Sequence, residues 1–410
     1  MLTSLHQDDF PTIYNRMVAL FPGKPWLKRV SDLQHQVIAN PIAKGRLRQV
    51  NQVAYGLALF DDLGFSSVHA QDWELVKTAM CFAGQVLSII ESDTPDRARR
   101  FAARVHGALR NPDDMRGMQF ELSLATHLFR QGCAIQWMEE HGGGDTFDML
   151  VDVPGVGAIE LECKTLSSDK GDAIPHDVAI EFINRLIPSF EKSLPAASSC
   201  LFGIEVVFEG RVPSSVSEQM ALSTQVGEAI ARQDHSVSGL CGIELNALDL
   251  RALPDEIGEA ELTVCLDQMI GTEQCHQVIK VLCNGSFLAV RVRSTLPNTL
   301  ESKINAIAKK AIRKQMTGKR PGYLVIRIEG HTGESLVHMA ESEENALAIL
   351  ATKLLRSPQH THLAGVVFVS APTLNRLTET TESGQSHTYI FANEVGRYPH
   401  LDIGKVFAVE

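Results

Sequence analysis

The sequence has no Cys-x-x-Cys pair, no internal repeat, no low-complexity tract and no apolar run long enough for a bilayer. Each absence removes a class. Without paired cysteines, a zinc ribbon or a thioredoxin-like redox site has no support. The eight cysteines are scattered along the chain, several inside apolar runs such as Ser199-Cys200-Leu201-Phe202, and read as reduced, buried thiols. Cys265, Cys275, His276 and Cys283 cluster, but at no zinc spacing. The longest apolar stretch, residues 79–90, contains Gly84, Gln85 and Ser88 and falls short of the roughly 18 residues of a span. The start, MLTSLHQDDF, lacks the basic-then-apolar pattern of a secretory signal. A soluble, cytoplasmic protein without a membrane partner is expected.

Positive charge is also scarce. Against 49 Asp and Glu the chain has 38 Lys and Arg, a formal net charge of −11, which argues against nucleic-acid binding by the whole surface. With 410 residues, 44% hydrophobic and 21% charged, the chain is neither disordered nor a small stapled scaffold, and has room for two or three domains.

What is present alternates between two periods. Residues 1–112 read as helical, with Phe101, Val105, Ala108 and Leu109 at helical spacing. Asn111-Pro112-Asp113-Asp114 is a stop-and-restart signal. A helix over 118–130 follows, then a short strand at 134–138 and two period-2 segments, 147–153 and 158–165, joined by Pro154-Gly155-Val156-Gly157. A helix at 177–190 and an apolar strand at 201–208 come next. Beyond residue 210 we read helices at 214–232, 300–316 and 342–355, and strands near 261–266, 278–283, 287–292, 323–328, 365–369 and 388–392. The fold class is mixed α/β.

The two period-2 segments carry the chemistry. Phe147, Met149, Val151 and Val153 share one side of the first, and Ile159, Leu161 and Cys163 one side of the second. Asp148, Glu160, Glu162 and Lys164 take the opposite sides. If Asp148 lies opposite Glu162, Met149 meets Leu161 and Val151 meets Ile159, so every apolar residue falls on one face. A one-residue slip would bury charge at several kcal/mol per unpaired ion. The favoured register needs a loop of three or five residues at 154–157. Asp148, Glu162 and Lys164 then converge, and two hard carboxylates at that separation suit Mg²⁺ or Mn²⁺. Such an ion with an adjacent ammonium fits phosphodiester hydrolysis. Glu160 is read as a supporting or solvated acid, Asp145 as a competitor to Asp148 lying in a glycine-rich loop, and Asp152 as solvated beside the turn.

Asp148, the hairpin and Glu162-Cys163-Lys164 at the end of an apolar strand resemble the PD-(D/E)XK nuclease superfamily, although Phe147 stands where the motif's proline would be. The resemblance covers residues 113–210 and implies a restriction-endonuclease-like αβββαβ core there, between the helical region read at 1–112 and a further α/β region, 211–410, which has strands that could continue its sheet. It implies Asp148, Glu162 and the Cys163 backbone carbonyl as metal ligands, Lys164 as the catalytic lysine, and Glu121 as an outer or second-metal ligand. Helix 177–190 and strand 201–208 sit where that core would continue. By analogy the role is that of a restriction or phage-defence effector.

Charge is unevenly distributed. Residues 303–320 contain Lys303, Lys309, Lys310, Arg313, Lys314, Lys319 and Arg320 with no acid, and residues 97–116 contain six arginines, including Arg97, Arg100 and Arg104, against two aspartates. Beside a phosphodiesterase site these stretches are the expected grip on a DNA backbone. The flanking regions would add substrate contacts, a homodimer interface or a surface for a partner subunit. The alternative is a catalytically silent scaffold of the same fold that binds nucleic acid or protein. His141-Gly142-Gly143-Gly144 has no Gly-x-Ser-x-Gly elbow to serve, and Gly330-His331-Thr332-Gly333-Glu334-Ser335 lacks the lysine of a phosphate loop.

Overall fold

A computed structural model describes the chain apart from residues 3, 65–71, 139–145, 196–198, 251–263, 266–267, 270–275, 283–284, 331–332, 342–344, 371–372, 377–381, 400, 402–403 and 408–410. The expected strand at 261–266, Asp145 and the glycines at 142–144 fall largely or wholly outside the described residues. The protein is mixed α/β with a helical N-terminal region.

Proline sets several helix starts in that region, because a first-turn residue needs no backbone donor. It opens α2 (Pro25–Ala39), α6 (Pro95–Ala108) and α7 (Pro112–Arg130) and follows the first residue of α1 (Phe10–Leu20). The restart at residue 112 is as the sequence predicts: the Asn111 side chain accepts the Asp113 N–H at 3.0 Å, and Asp113 and Asp114 lie at the positive end of the α7 dipole. Between α2 and α6 lie α3 (Lys44–Val50), α4 (Gln52–Leu63) and α5 (Trp73–Ser92). Among the described residues only α5 is long and apolar enough to cross a membrane, and half of its apolar window, including Val76, Met80, Ala83 and Val86, is buried in the protein's own core.

The chain divides into two compact units, one made of residues 1–34, 47–168 and 301–410, the other of 35–46 and 169–300. The first is built on a six-stranded sheet in the order β1 (Ala134–Trp137), β2 (Met149–Val153), β3 (Gly157–Ser167), β9 (Gly322–Glu329), β10 (Leu363–Val369) and β13 (Thr388–Ala392). β2 runs antiparallel to both β1 and β3, while β3, β9 and β10 are parallel and β13 closes the sheet antiparallel to β10; β11 (Thr373–Arg376) and β12 (Glu382–Gln385) pair with each other in a separate ribbon. One face, with Met149, Val151, Ile159, Leu161, Cys163, Tyr323 and Val325, shares a core with the N-terminal helices. Alternate residues such as Leu324, Ile326 and Ile328 are buried on the other.

The hairpin has the favoured register. Met149 pairs with Leu161 and Val151 with Ile159, and the loop is the three-residue form. Val156 N–H closes a turn onto the Val153 carbonyl at 3.0 Å with Pro154 and Gly155 at its centre, and Gly155 takes φ +77, the type II pattern in which only glycine is at ease at the third position.

The second unit is organised around a five-stranded sheet in the order β5 (Ser236–Val237), β6 (Cys241–Asp249), β4 (Cys200–Phe208), β8 (Phe287–Ser294) and β7 (His276–Val281). One face packs under α8 (His176–Phe190) and α9 (Val216–Ala231) through Phe202, Ile204, Val206, Leu288, Val290 and Val292.

This arrangement corrects the expected continuation of the core. Helix 177–190 and strand 201–208 do not extend the β1–β3 sheet, because β4 pairs with β6 and β8 in the other unit. The helix and strand that extend it are α10 (Leu300–Lys314) and β9, whose Glu160–Gly322 to Ser167–Glu329 ladder runs the full described length of the pairing. The boundary read at residue 210 therefore lies inside a compact unit, and part of the 211–410 region does join the core sheet. Strand β6 and the helix α11 (Gly333–Glu341) were not expected, while the last helix, α12 (Ala346–Leu355), is shorter than the 342–355 read from sequence.

Gly56 marks a close approach of α4 to α5. A β-carbon there would lie 2.1 Å from the Leu75 carbonyl oxygen and 2.6 Å from the Ala79 Cβ. Gly56→Ala is expected to destabilise the protein by about 1–3 kcal/mol, read as a lower Tm. Gly107→Ala on α6, where a β-carbon meets nothing within 4 Å, is expected to raise Tm slightly.

Candidate active site

The site grows out of the β2–β3 register. Asp148 immediately precedes β2, so carrying the ladder one step past Met149–Leu161 sets it level with Glu162. The Cys163 N–H donates to Asp148 Oδ2 at 2.6 Å and fixes that carboxylate against β3. Lys164 lies two residues beyond Glu162 on the same side of the strand, and its Nζ donates to Glu162 Oε1. Asp148, Glu162 and Lys164 are thus brought together.

The carboxylates on this side are buried. Glu160 and Glu162 are 0% exposed and Asp148 5%. The other Glu162 oxygen, Oε2, is buried with no hydrogen-bond partner among the described residues. Burial, and next the charge of Asp148, push the Glu162 carboxyl up to about 8, against the pull of Lys164. Burial alone would lower the pKa of Lys164, but the facing carboxylates of Glu162 and Asp148 outweigh it and hold the ammonium charged above the ordinary lysine value. Cys163 points into the apolar core, and burial with three nearby carboxylates pushes its thiol well up, so it stays protonated and is no nucleophile.

Glu160 is a supporting acid rather than a solvated one. Its Oε2 accepts the Thr317 N–H at 2.8 Å, its Oε1 accepts the Thr317 hydroxyl, and Arg320 approaches Oε1 at 3.4 Å. Just before the other strand, Thr146 donates its hydroxyl to the Lys314 carbonyl at 3.2 Å. The C-terminal end of α10 and the turn after it are therefore tied to both strands that carry the site.

Along α10, Lys303, Lys310, Arg313 and Lys314 are exposed and Lys309 half-buried, while Ile304, Ala308, Ala311 and Ile312 are buried. Lys303, Lys310 and Lys314 stand seven and four residues apart, which aligns them in one ridge. No carboxylate among the described residues pairs with any of the three. The arginines of residues 97–116 differ. Arg97 pairs with Asp93 at 3.7 Å, Arg99 with Asp96 at 3.3 Å and Arg116 with Glu329 at 2.9 Å, and Arg100 and Arg110 are exposed.

Glu121, on α7, is 7% exposed, and its carboxylate bears on Glu162 more weakly than that of Asp148 does. Its Oε2 is bound by Arg104 Nη2, from α6. Arg104 was expected on a nucleic-acid-facing surface and is instead turned towards this acid. Sequence reasoning missed it because the contact joins two helices with no spacing rule between them, and missed Thr317 because a threonine after a basic helix carries no signal.

Among the described residues no three His, Cys, Asp or Glu side chains form a metal-holding group. Two carboxylates set level on adjoining strands, one of them with a buried oxygen that has no hydrogen-bond partner among the described residues, fit an ion that keeps several of its own waters. Searches against protein-family models, curated proteins and solved structures found no match to this chain.

Proposed function

We propose that this chain is a Mg²⁺- or Mn²⁺-dependent nuclease of the PD-(D/E)XK type that hydrolyses phosphodiester bonds in DNA. The observation that carries this reading is Glu162: fully buried, one oxygen on Lys164, the other without a partner among the described residues, and level with Asp148 at the start of the adjoining strand. An uncompensated carboxylate costs several kcal/mol to bury, and shifted carboxylates grouped in one place mark functional sites. Asp148 and Glu162 would hold the cation, with the Cys163 carbonyl as a third oxygen. Once bound, it supplies an acidified water and neutralises charge on the phosphate.

The chain's own residues do the rest. The Cys163 N–H holds Asp148 in one orientation, so that carboxylate needs no reorganisation. Lys164, kept charged, donates towards the phosphodiester oxygen that gains charge and offsets it. The ridge of Lys303, Lys310 and Lys314 binds backbone phosphates without reading sequence.

The direct test is plasmid cleavage in Mg²⁺ and Mn²⁺ by the wild type, Lys164→Ala and Asp148→Ala. Cleavage by the wild type alone is expected, and equal cleavage by all three removes the proposal. DNA binding with no Mn²⁺ uptake and no cleavage would favour the scaffold reading. The ridge has its own expected result: the triple Lys303→Gln, Lys310→Gln, Lys314→Gln variant should bind every DNA sequence more weakly, with the slope of log K against log[salt] shallower by about 3, roughly 0.9 for each lost phosphate contact.

A further inference from the structure

We infer that Arg104 takes Glu121 out of metal ligation, so that the site holds a single divalent cation on Asp148 and Glu162. This rests on the proposed nuclease reading and adds the stoichiometry of its centre. The ion pair joins Arg104 Nη2 to Glu121 Oε2, with the side chains 21% and 10% exposed. A guanidinium does not deprotonate at any pH the fold survives, so it cannot vacate the acid by losing its charge. It is anchored on α6 between Phe101 and Val105, both buried in the core. A cation seeking Glu121 would have to displace a permanent charge held by a packed helix.

Charge balance points the same way. Asp148, Glu162 and Glu121 against Lys164 and Arg104 give the ionised group a net charge of minus one. One divalent ion makes it plus one, which a single incoming phosphodiester neutralises. A second ion would make it plus three in a pocket whose carboxylates are at least nine-tenths buried, and like charges a few ångströms apart there repel by several kcal/mol. Arg104 is thus a positioning residue that acts through Glu121.

Calorimetric titration of the full chain with Mn²⁺ tests this without reference to activity. The wild type is expected to bind one Mn²⁺. Glu121→Gln should keep that stoichiometry with affinity changed less than about threefold, whereas Glu162→Gln should weaken it by roughly 100-fold or more. Arg104→Gln, which removes the permanent charge held on Glu121, should add a second, weaker equivalent that disappears in the Arg104→Gln, Glu121→Gln double variant. Two ions on the wild type with one on Glu121→Gln would overturn the inference and leave the nuclease reading standing. A single ion on Arg104→Gln would also overturn it. No uptake by the wild type or by Arg104→Gln would remove both.

Discussion

A Glu162→Gln variant is expected to lose DNA cleavage by a factor of about 10³ or more and yet to melt higher than the wild type. The two effects have one origin. Glu162 is fully buried, one of its oxygens has no partner among the described residues, and the other is bound by Lys164. Glutamine keeps the shape and removes the charge. Breaking a buried pair normally destabilises by leaving the other ion stranded. Here the stranded partner is Lys164, whose side chain is 24% exposed and retains the attraction of Asp148, so its ammonium can be hydrated from outside. The desolvation relieved at Glu162 therefore exceeds the pairing lost at Lys164. Thermal melting of the metal-free proteins at pH 9, where Glu162 is ionised, beside a plasmid assay checks both halves. A Tm unchanged or lower in Glu162→Gln would show that Lys164 satisfies Glu162 fully and that no cation is called for.

The second large effect is on pH. The Glu162 carboxyl stands at about 8 in the folded chain against 4.5 as its ordinary value, so between those limits the folded state binds more protons than the unfolded state. Stability then falls as pH rises. The contribution is fully present below about pH 4.5, is lost progressively as pH climbs to about 8, and is flat beyond. Its size is several kcal/mol, since each pKa unit corresponds to about 1.4 kcal/mol. The metal-free protein should therefore melt lower at pH 8 than at pH 6, with the slope absent in Glu162→Gln. Mn²⁺ should raise Tm most at the alkaline end, where the carboxylate it binds is already ionised. A metal-free Tm that is flat or rising from pH 6 to 8 would contradict the assigned environment of Glu162.

How far the sequence leads depends on the kind of signal. The hairpin register is legible because one-residue slippage would have sent Met149, Val151, Ile159 and Leu161 to the wrong face, and apolar alternation forbids that. β6 has a comparable signal in the alternation of Cys241, Ile243, Leu245 and Ala247. The course of the core sheet after β3 was not legible. Helix 177–190 and strand 201–208 have the same periodicities as α10 and β9, and periodicity says what an element is without saying which edge it joins. Burial of the polar side of β3 was hidden as well, since what covers Glu160 is a turn at Thr317 whose composition is unremarkable for a loop. The arginine-rich stretch from 97 to 116 looked like a patch only because its carboxylate partners lie outside the stretch or on the next helix, as Asp93, Glu121 and Glu329 do.

The split course of the core sheet has a consequence for synthesis. Asp148, Glu162 and Lys164 leave the ribosome well before β9, the strand that pairs with β3 over its length, and before Thr317, which holds Glu160. Pairing across so long a chain interval is slow and waits for the later partner. A nascent chain carrying every proposed catalytic side chain therefore has no assembled centre until its last quarter emerges, and the nuclease that we propose is silent while still being made.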